Sequence, residues 1–258
     1  MGRLHHLSET LPKNINWNSD YPNLEFVILD YNSSDGLAEW MKRYMLRFID
    51  SGQVVYYKYY DSDYFRYSHS RNILIRLSCG DIICNMDADN YTGKGFAKYL
   101  VQKLIKTDFL TGAIINSDRI YPPRFDSITM GCFGRIAIKR DILLKIGGYN
   151  EAIEHWGYED RDLYLRLRSL GYLSETLDPR FLFSIPHGDQ ERGYGSDNRA
   201  LKIGTTHHKS NETKSLENIK NGRYILNDGM MGCGKVYKNF STEPVIIKKL
   251  EQSEAAAF

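Results

Sequence analysis

The stretch DIICNMDAD, residues 81–89, joins a short apolar run to two carboxylates, Asp87 and Asp89. Its continuous hydrophobicity, rather than alternation, predicts a strand buried on both faces, as in a parallel sheet. Upstream, SHSRNILIRLSC (68–79) reads as a helix with Gly80 as its C′ stop. Before it, VVYYKYY (54–60) reads as a strand. LAEWMKRYMLRFID (37–50) reads as a helix with Leu37, Trp40, Met41, Tyr44, Met45 and Phe48 on one broad face. Ser34 or Asp35 is its expected cap. LEFVILD (24–30) is a second buried strand, ending in Asp30, and LHHLSETLPKNI (4–15) a short helix that stops near Pro12. Downstream, TGKGFAKYLVQKLIKTD (92–108) predicts a helix and GAIIN (112–116) a strand. Strand and helix in alternation argue for an α/β fold with a mixed, mainly parallel sheet flanked by helices. Such sheets bind ligands at the carboxyl ends of their strands, so Asp30 and Asp87 are expected at one crevice.

The second half is less regular. RDILLKIGGYN (140–150) reads as a helix stopped by Gly147-Gly148, and RDLYLRLRSLGY (161–172) as another, stopped by Gly171. FLFSIPHGDQ (181–190) reads as a strand running into a polar loop. Residues 209–258 are polar and weakly periodic and are expected to form a C-terminal extension to a domain spanning 1–208.

Composition narrows the function. The chain has 258 residues, 42% hydrophobic and 26% charged, enough for a sizeable core. Lys+Arg 34 against Asp+Glu 32 leaves no basic excess for a nucleic acid backbone. No apolar run approaches a membrane span, and the N-terminus shows no signal-peptide core. The four cysteines are dispersed, as in a reducing cytoplasm. Nineteen tyrosines offer flat apolar faces with polar tips, a surface suited to sugars and bases but equally common in cores.

Two carboxylates at i and i+2 on a strand end can share one hard cation. A divalent ion held by only one or two carboxylates keeps positions free for substrate phosphates. The plainer reading is a capped strand end with solvated acids.

EFVILDYNSSDG, SRNILIRLSCGDIICNMDAD and WGYEDRDLYLRL stand here in an order and spacing that resemble family 2 glycosyltransferases of the GT-A, Rossmann-like fold. GCFGRIAIKRDILLKIGGYNE with WGYEDRDLYLRLRSLGY also resembles the C-terminal half of β-1,4-galactosyltransferases. The likeness runs from about residue 3 to about residue 200. It implies donor contacts from Asp30, Arg71, Asp87 and Asp89. It implies a Mn²⁺ or Mg²⁺ ion held by Asp89 with Asp87 and His187, and Asp160 as catalytic base. Glu159, Trp156 and Tyr158 would meet the acceptor. Without the resemblance, Arg71 reads as one half of a surface ion pair, Glu159 and Asp160 as first-turn acids favoured by the helix dipole, His187 as a loop histidine and Trp156 as core.

The activity implied is inverting transfer of a sugar from a nucleotide diphosphate donor, UDP-linked, to a hydroxyl of a saccharide or lipid-linked saccharide. The setting is bacterial surface polysaccharide synthesis, in the cytoplasm or at the inner face of its membrane. Two alternatives are a nucleotidyltransferase of similar scaffold and a non-catalytic nucleotide- or glycan-binding module; homo-oligomerisation is left open. The family pattern begins with a buried strand whose end contacts the donor. That strand is not found here, because Met1-Gly2-Arg3-Leu4 matches the segment just after it; either the sequence starts downstream of the natural start or the strand is absent.

Overall fold

The apolar run before Asp30 forms strand β1, Phe26–Tyr31, in parallel register with β2, Val54–Tyr59. The computed structural model describes residues 1–112, 114–116, 119–121, 134–186 and 199–251.

Helix α1, Leu4–Trp17, runs through Pro12 instead of stopping there. A proline inside a helix removes a hydrogen bond and crowds the preceding turn. Here tertiary contacts beyond the proline hold the helix. Leu11 and Ile15 are buried, Asn14 Nδ2 donates to the Asn90 carbonyl at 2.9 Å, and Asn14 Oδ1 accepts from Thr92 N at 2.8 Å. Asp35 caps this helix rather than the next, its Oδ2 accepting from Leu4 N at 2.7 Å. The next helix starts from Gly36, at φ +82°, with no side-chain cap.

That helix is α2, Leu37–Trp40, a π turn at Met41–Met45, and α3, Leu46–Asp50. Leu37, Met41, Met45 and Ile49 are its buried face, packed on Leu11, Ile15 and Val54. Tyr44, expected on the same face, is 53% exposed. Helix α4, Tyr67–Leu77, ends before Gly80. Ser78 takes the Leu74 carbonyl with both its N–H and its hydroxyl, and Cys79 N and Gly80 N donate to Glu25 Oε1. Strand β3 covers only Ile82–Cys84 of the apolar run before Asp87.

The remaining elements are α5 (Phe96–Leu104), β4 (Phe109–Thr111), β5 (Ile114–Asn116), β6 (Arg119–Tyr121), β7 (Ile136–Lys139), α6 (Arg140–Lys145), α7 (Glu159–Ser169), β8 (Ser174–Thr176), α8 (Arg199–Lys220), β9 (Gly234–Lys238) and β10 (Pro244–Ile247). One sheet has the order β1-β2-β9-β10 and a second β3-β7-β4-β8, with β5 and β6 paired separately. Pairs β1–β2 and β4–β8 are parallel and the other described pairs antiparallel, so the sheets are mixed and less parallel than expected. The strand expected from Phe181 onward is a 3₁₀ turn, Pro179–Phe181, and a single bridge from Ser184 to Asn90.

The segment after residue 209 is integrated. Strand β9 lies antiparallel on β2, and Val236 and Ile247 join Tyr31, Tyr57, Tyr59 and Ile73 in one buried cluster. Among the described strands, β1 and β3 each have one unpaired edge. A cavity of about 630 Å³ adjoins both, lined by Val27, Ile28, Ile82, Ile83, Leu11 and Leu74 among others. Among the described residues, no helix is long and apolar enough to cross a membrane.

Candidate active site

Three pieces of backbone meet at Arg71. Helix α4 carries it, the turn after β3 carries Asp87, and the first turn of α7 carries Glu159 and Asp160. The two helices are each held by a buried polar anchor. Asn72, next to Arg71, clamps the 149–151 loop: its Oδ1 accepts from Tyr149 N at 2.8 Å, and its Nδ2 donates to the Tyr149 carbonyl and Glu151 Oε1, both at 2.8 Å. Helix α7 is pinned by Arg166, which is fully buried. Its Nε donates to Asp162 Oδ2 at 2.8 Å and its Nη2 to the Gly148 carbonyl at 2.6 Å. The Gly147-Gly148 turn that α4 and α7 both grip has φ +74° and +66°, which is why glycines stand there.

Arg71 Nη1 donates to Asp160 Oδ1 at 2.6 Å and to Glu159 Oε1 at 3.1 Å. Its Nη2 lies 3.7 Å from Asp87 Oδ1. The guanidinium rests on the Tyr149 ring, 5.1 Å from its centroid. Glu159 Oε2 accepts from Gly157 N at 3.0 Å, so this acid is locked on both oxygens. Gly134 backs the cluster: a Cβ there would stand 2.9 Å from Asp87 Oδ2, 3.3 Å from Arg71 Nη2 and 3.6 Å from Asp160 Oδ2. Burial holds the Asp160 carboxyl well above the usual carboxylate range; the Arg71 charge opposes this, and Glu159 and Asp87 add to it. The Tyr67 phenol is pushed up to about 12, by burial first and then by Glu159 and Asp87.

The expected residues divide into two groups. Arg71, Asp87, Glu159 and Asp160 converge, and the Arg71 pairing is buried rather than superficial. Asp30 stands apart in a fully buried pocket, where it accepts from Tyr56 Oη and Ser33 N, both at 2.7 Å, and pairs with Lys58 at 3.5 Å. It therefore does not open into a crevice shared with Asp87. Asp89 is half-buried beside Asn90, whose amide donates to its Oδ1 at 3.3 Å. Trp156 is 47% exposed, not core, whereas Tyr158 is buried between His208 and Arg161 at φ +78°. His187 lies outside the described residues.

Tyr149, Asn72 and Gly134 belong to the site as well, and motif spacing did not reveal them. The only signal was adjacency: Asn72 follows Arg71, and Tyr149 follows the glycine pair.

Among the described residues, no three His, Cys, Asp or Glu side chains already form a metal cage. The residues present nevertheless fit a hard divalent ion. Asp87 and Asp89 offer oxygen donors, and the Asp87 side chain is 51% exposed, with Arg71 at 3.7 Å as its ion-pair partner among the described residues. Two carboxylates suffice where phosphates complete the sphere.

The profile of Glycosyl transferase family 2 matches residues 3–157. The chain belongs to that family, and its fold is the GT-A fold. It is 28% identical over 191 residues to the probable glycosyltransferase YdaM of Bacillus subtilis (strain 168), covering 64% of this chain but 44% of the relative. The chain thus spans less than half the length of that curated relative. The structure is similar to the mannosyltransferase PcManGT of Pyrobaculum calidifontis, solved with GDP-Man and Mn²⁺. That match has a TM-score of 0.59 and 21% identity, and covers 83% of this chain and 61% of that one. TarS of S. aureus matches over 97% of both chains, with a TM-score of 0.51 and 11% identity.

Proposed function

We propose that this chain transfers a sugar from a nucleotide diphosphate donor to an acceptor hydroxyl with inversion at the anomeric carbon. One observation carries the reading: the acid assigned as base, Asp160, and the first acid of the strand-end pair, Asp87, share a single guanidinium. In this reading the base and the acid of the donor side belong to one small cluster around Arg71.

The chemistry follows from the residue types. A hydroxyl is a poor nucleophile, and a carboxylate that takes its proton during attack raises the rate. The raised pKa of Asp160 makes it a stronger base than an ordinary carboxylate once ionised. Asp87 and Asp89 would hold a Mn²⁺ or Mg²⁺ ion, which neutralises charge on the departing diphosphate. Arg71 adds a fixed positive charge beside them. Trp156, exposed next to this helix start, offers an aromatic face to an acceptor sugar. A UDP-linked donor and a bacterial surface saccharide are the substrates we assign first; the bacterial source of the glycosyltransferase relative supports a bacterial setting alone.

Asp160→Asn should abolish transfer and keep donor binding, read by product formation and by calorimetry on the same preparation. Asp87→Asn and Asp89→Asn should remove metal-dependent donor binding. Transfer that survives Asp160→Asn would overturn the base assignment.

A further inference from the structure

Arg71 holds the atom on which the reaction depends. Both of its hydrogen bonds leave from Nη1, and both go to the first turn of α7. The 2.6 Å contact to Asp160 Oδ1 covers a lone pair that an acceptor proton would need. On the other side, among the described residues, Nη2 has only the 3.7 Å ion pair with Asp87, too long for a hydrogen bond. The fork is therefore saturated toward the base and unspent toward the donor side. A guanidinium prefers a bidentate anion, and a diphosphate arriving at Asp87 offers one. The Tyr149 ring beneath the guanidinium supplies a flat surface over which it can turn.

We propose that Arg71 is a donor-responsive latch on the catalytic base. Without donor it caps Asp160. With a nucleotide diphosphate at Asp87 it turns to the phosphates and frees Asp160 for the acceptor. This makes Arg71 a positioning residue that couples base release to donor loading, and it rests on the function proposed above. The benefit is chemical: the base is uncovered only once a donor is in place to react.

The latch has a thermodynamic signature that needs no acceptor. Donor binding must break the Arg71–Asp160 contact, so weakening that contact should tighten donor binding. The experiment is calorimetry of UDP and of GDP, each with Mn²⁺, on the full chain. The proteins compared are wild type, Asp160→Asn, Arg71→Gln and the double variant. We expect Asp160→Asn to bind about tenfold more tightly than wild type, or about 1.4 kcal/mol. In the Arg71→Gln background the same change should gain less than about twofold. A gain of equal size in both backgrounds would mean that only a like charge was removed, and would overturn the latch. So would unchanged affinity in Asp160→Asn. If Arg71→Gln melts without ligand below the assay temperature, Arg71→Lys replaces it, keeping the charge but losing the fork, and the same inequality is expected. Failure of wild type to bind either nucleotide would instead bring down the proposed function, and the latch with it.

Discussion

Gly148→Ala tests whether the site is held by the Asn72 clamp. Gly148 has φ +66°, and a Cβ there would stand 2.3 Å from Asn72 Oδ1 and 2.7 Å from Met231 Cε. The left-handed backbone alone costs an alanine about 1–2 kcal/mol. Overpacking adds about 1–3 kcal/mol, and displacing Asn72 from Tyr149 N loses about 1 kcal/mol more. The sum is about 3–6 kcal/mol, which at about 2–4 °C per kcal/mol for a chain of this size lowers Tm by about 6–24 °C. Gly171→Ala is the matched control: its φ is +86°, yet nothing lies within 4 Å of the added Cβ. It should cost the backbone penalty alone, about 1–2 kcal/mol. The assay is thermal unfolding of both variants, with nucleotide and Mn²⁺ binding measured well below Tm. Gly148→Ala should also weaken donor binding, because Asn72 and Arg71 are neighbours on α4. Equal Tm values for the two variants would refute the clamp.

The charges around Arg71 and the buried anchor of α7 set further measurable outcomes. Asp160 has a raised pKa and acts as base only when ionised, so transfer should rise with pH through a value above the ordinary carboxylate range. Its ionisation correspondingly costs stability: the contribution is present below the ordinary carboxylate pKa and lost as pH rises through the raised one. Glu159→Gln removes a neighbouring charge that raises this pKa and should move the acid limb of the pH–rate profile to lower pH; a limb that stays put contradicts the electrostatic account. Asp162→Asn leaves Arg166 buried without its ion-pair partner and should cost about 3–5 kcal/mol, read as a denaturation midpoint shift with unchanged m-value.

The legible parts of the fold were those set by local chemistry. The runs ending at Asp30 and near Asp87 announced β1 and β3, and the Gly147-Gly148 pair announced the end of α6. What stayed hidden depended on distant partners. Asp35 reads as a cap for the helix just after it, but it serves Leu4, 31 positions earlier. Pro12 reads as a stop, and only contacts to Asn90 and Thr92 carry α1 past it. Strands β9 and β10 lie in a polar, weakly periodic stretch, and the pairing of β9 with β2 spans about 180 positions of chain, which no local pattern encodes. The same holds at the site. WGYED and DAD could be read as acids beside a helix start and a strand end, but their meeting at Arg71 is a tertiary fact. Asp30, at an equally suggestive strand end, is taken up by Tyr56 and Lys58 from the neighbouring strand.

The most direct test of the central claim is calorimetric binding of a panel of UDP- and GDP-sugars to the wild-type chain, with and without Mn²⁺, repeated on Asp87→Asn and Asp160→Asn. The account predicts that one nucleotide class binds only with the metal, that Asp87→Asn loses it and that Asp160→Asn keeps it. Binding that ignores both the metal and Asp87, or no nucleotide binding by the folded chain, would contradict it.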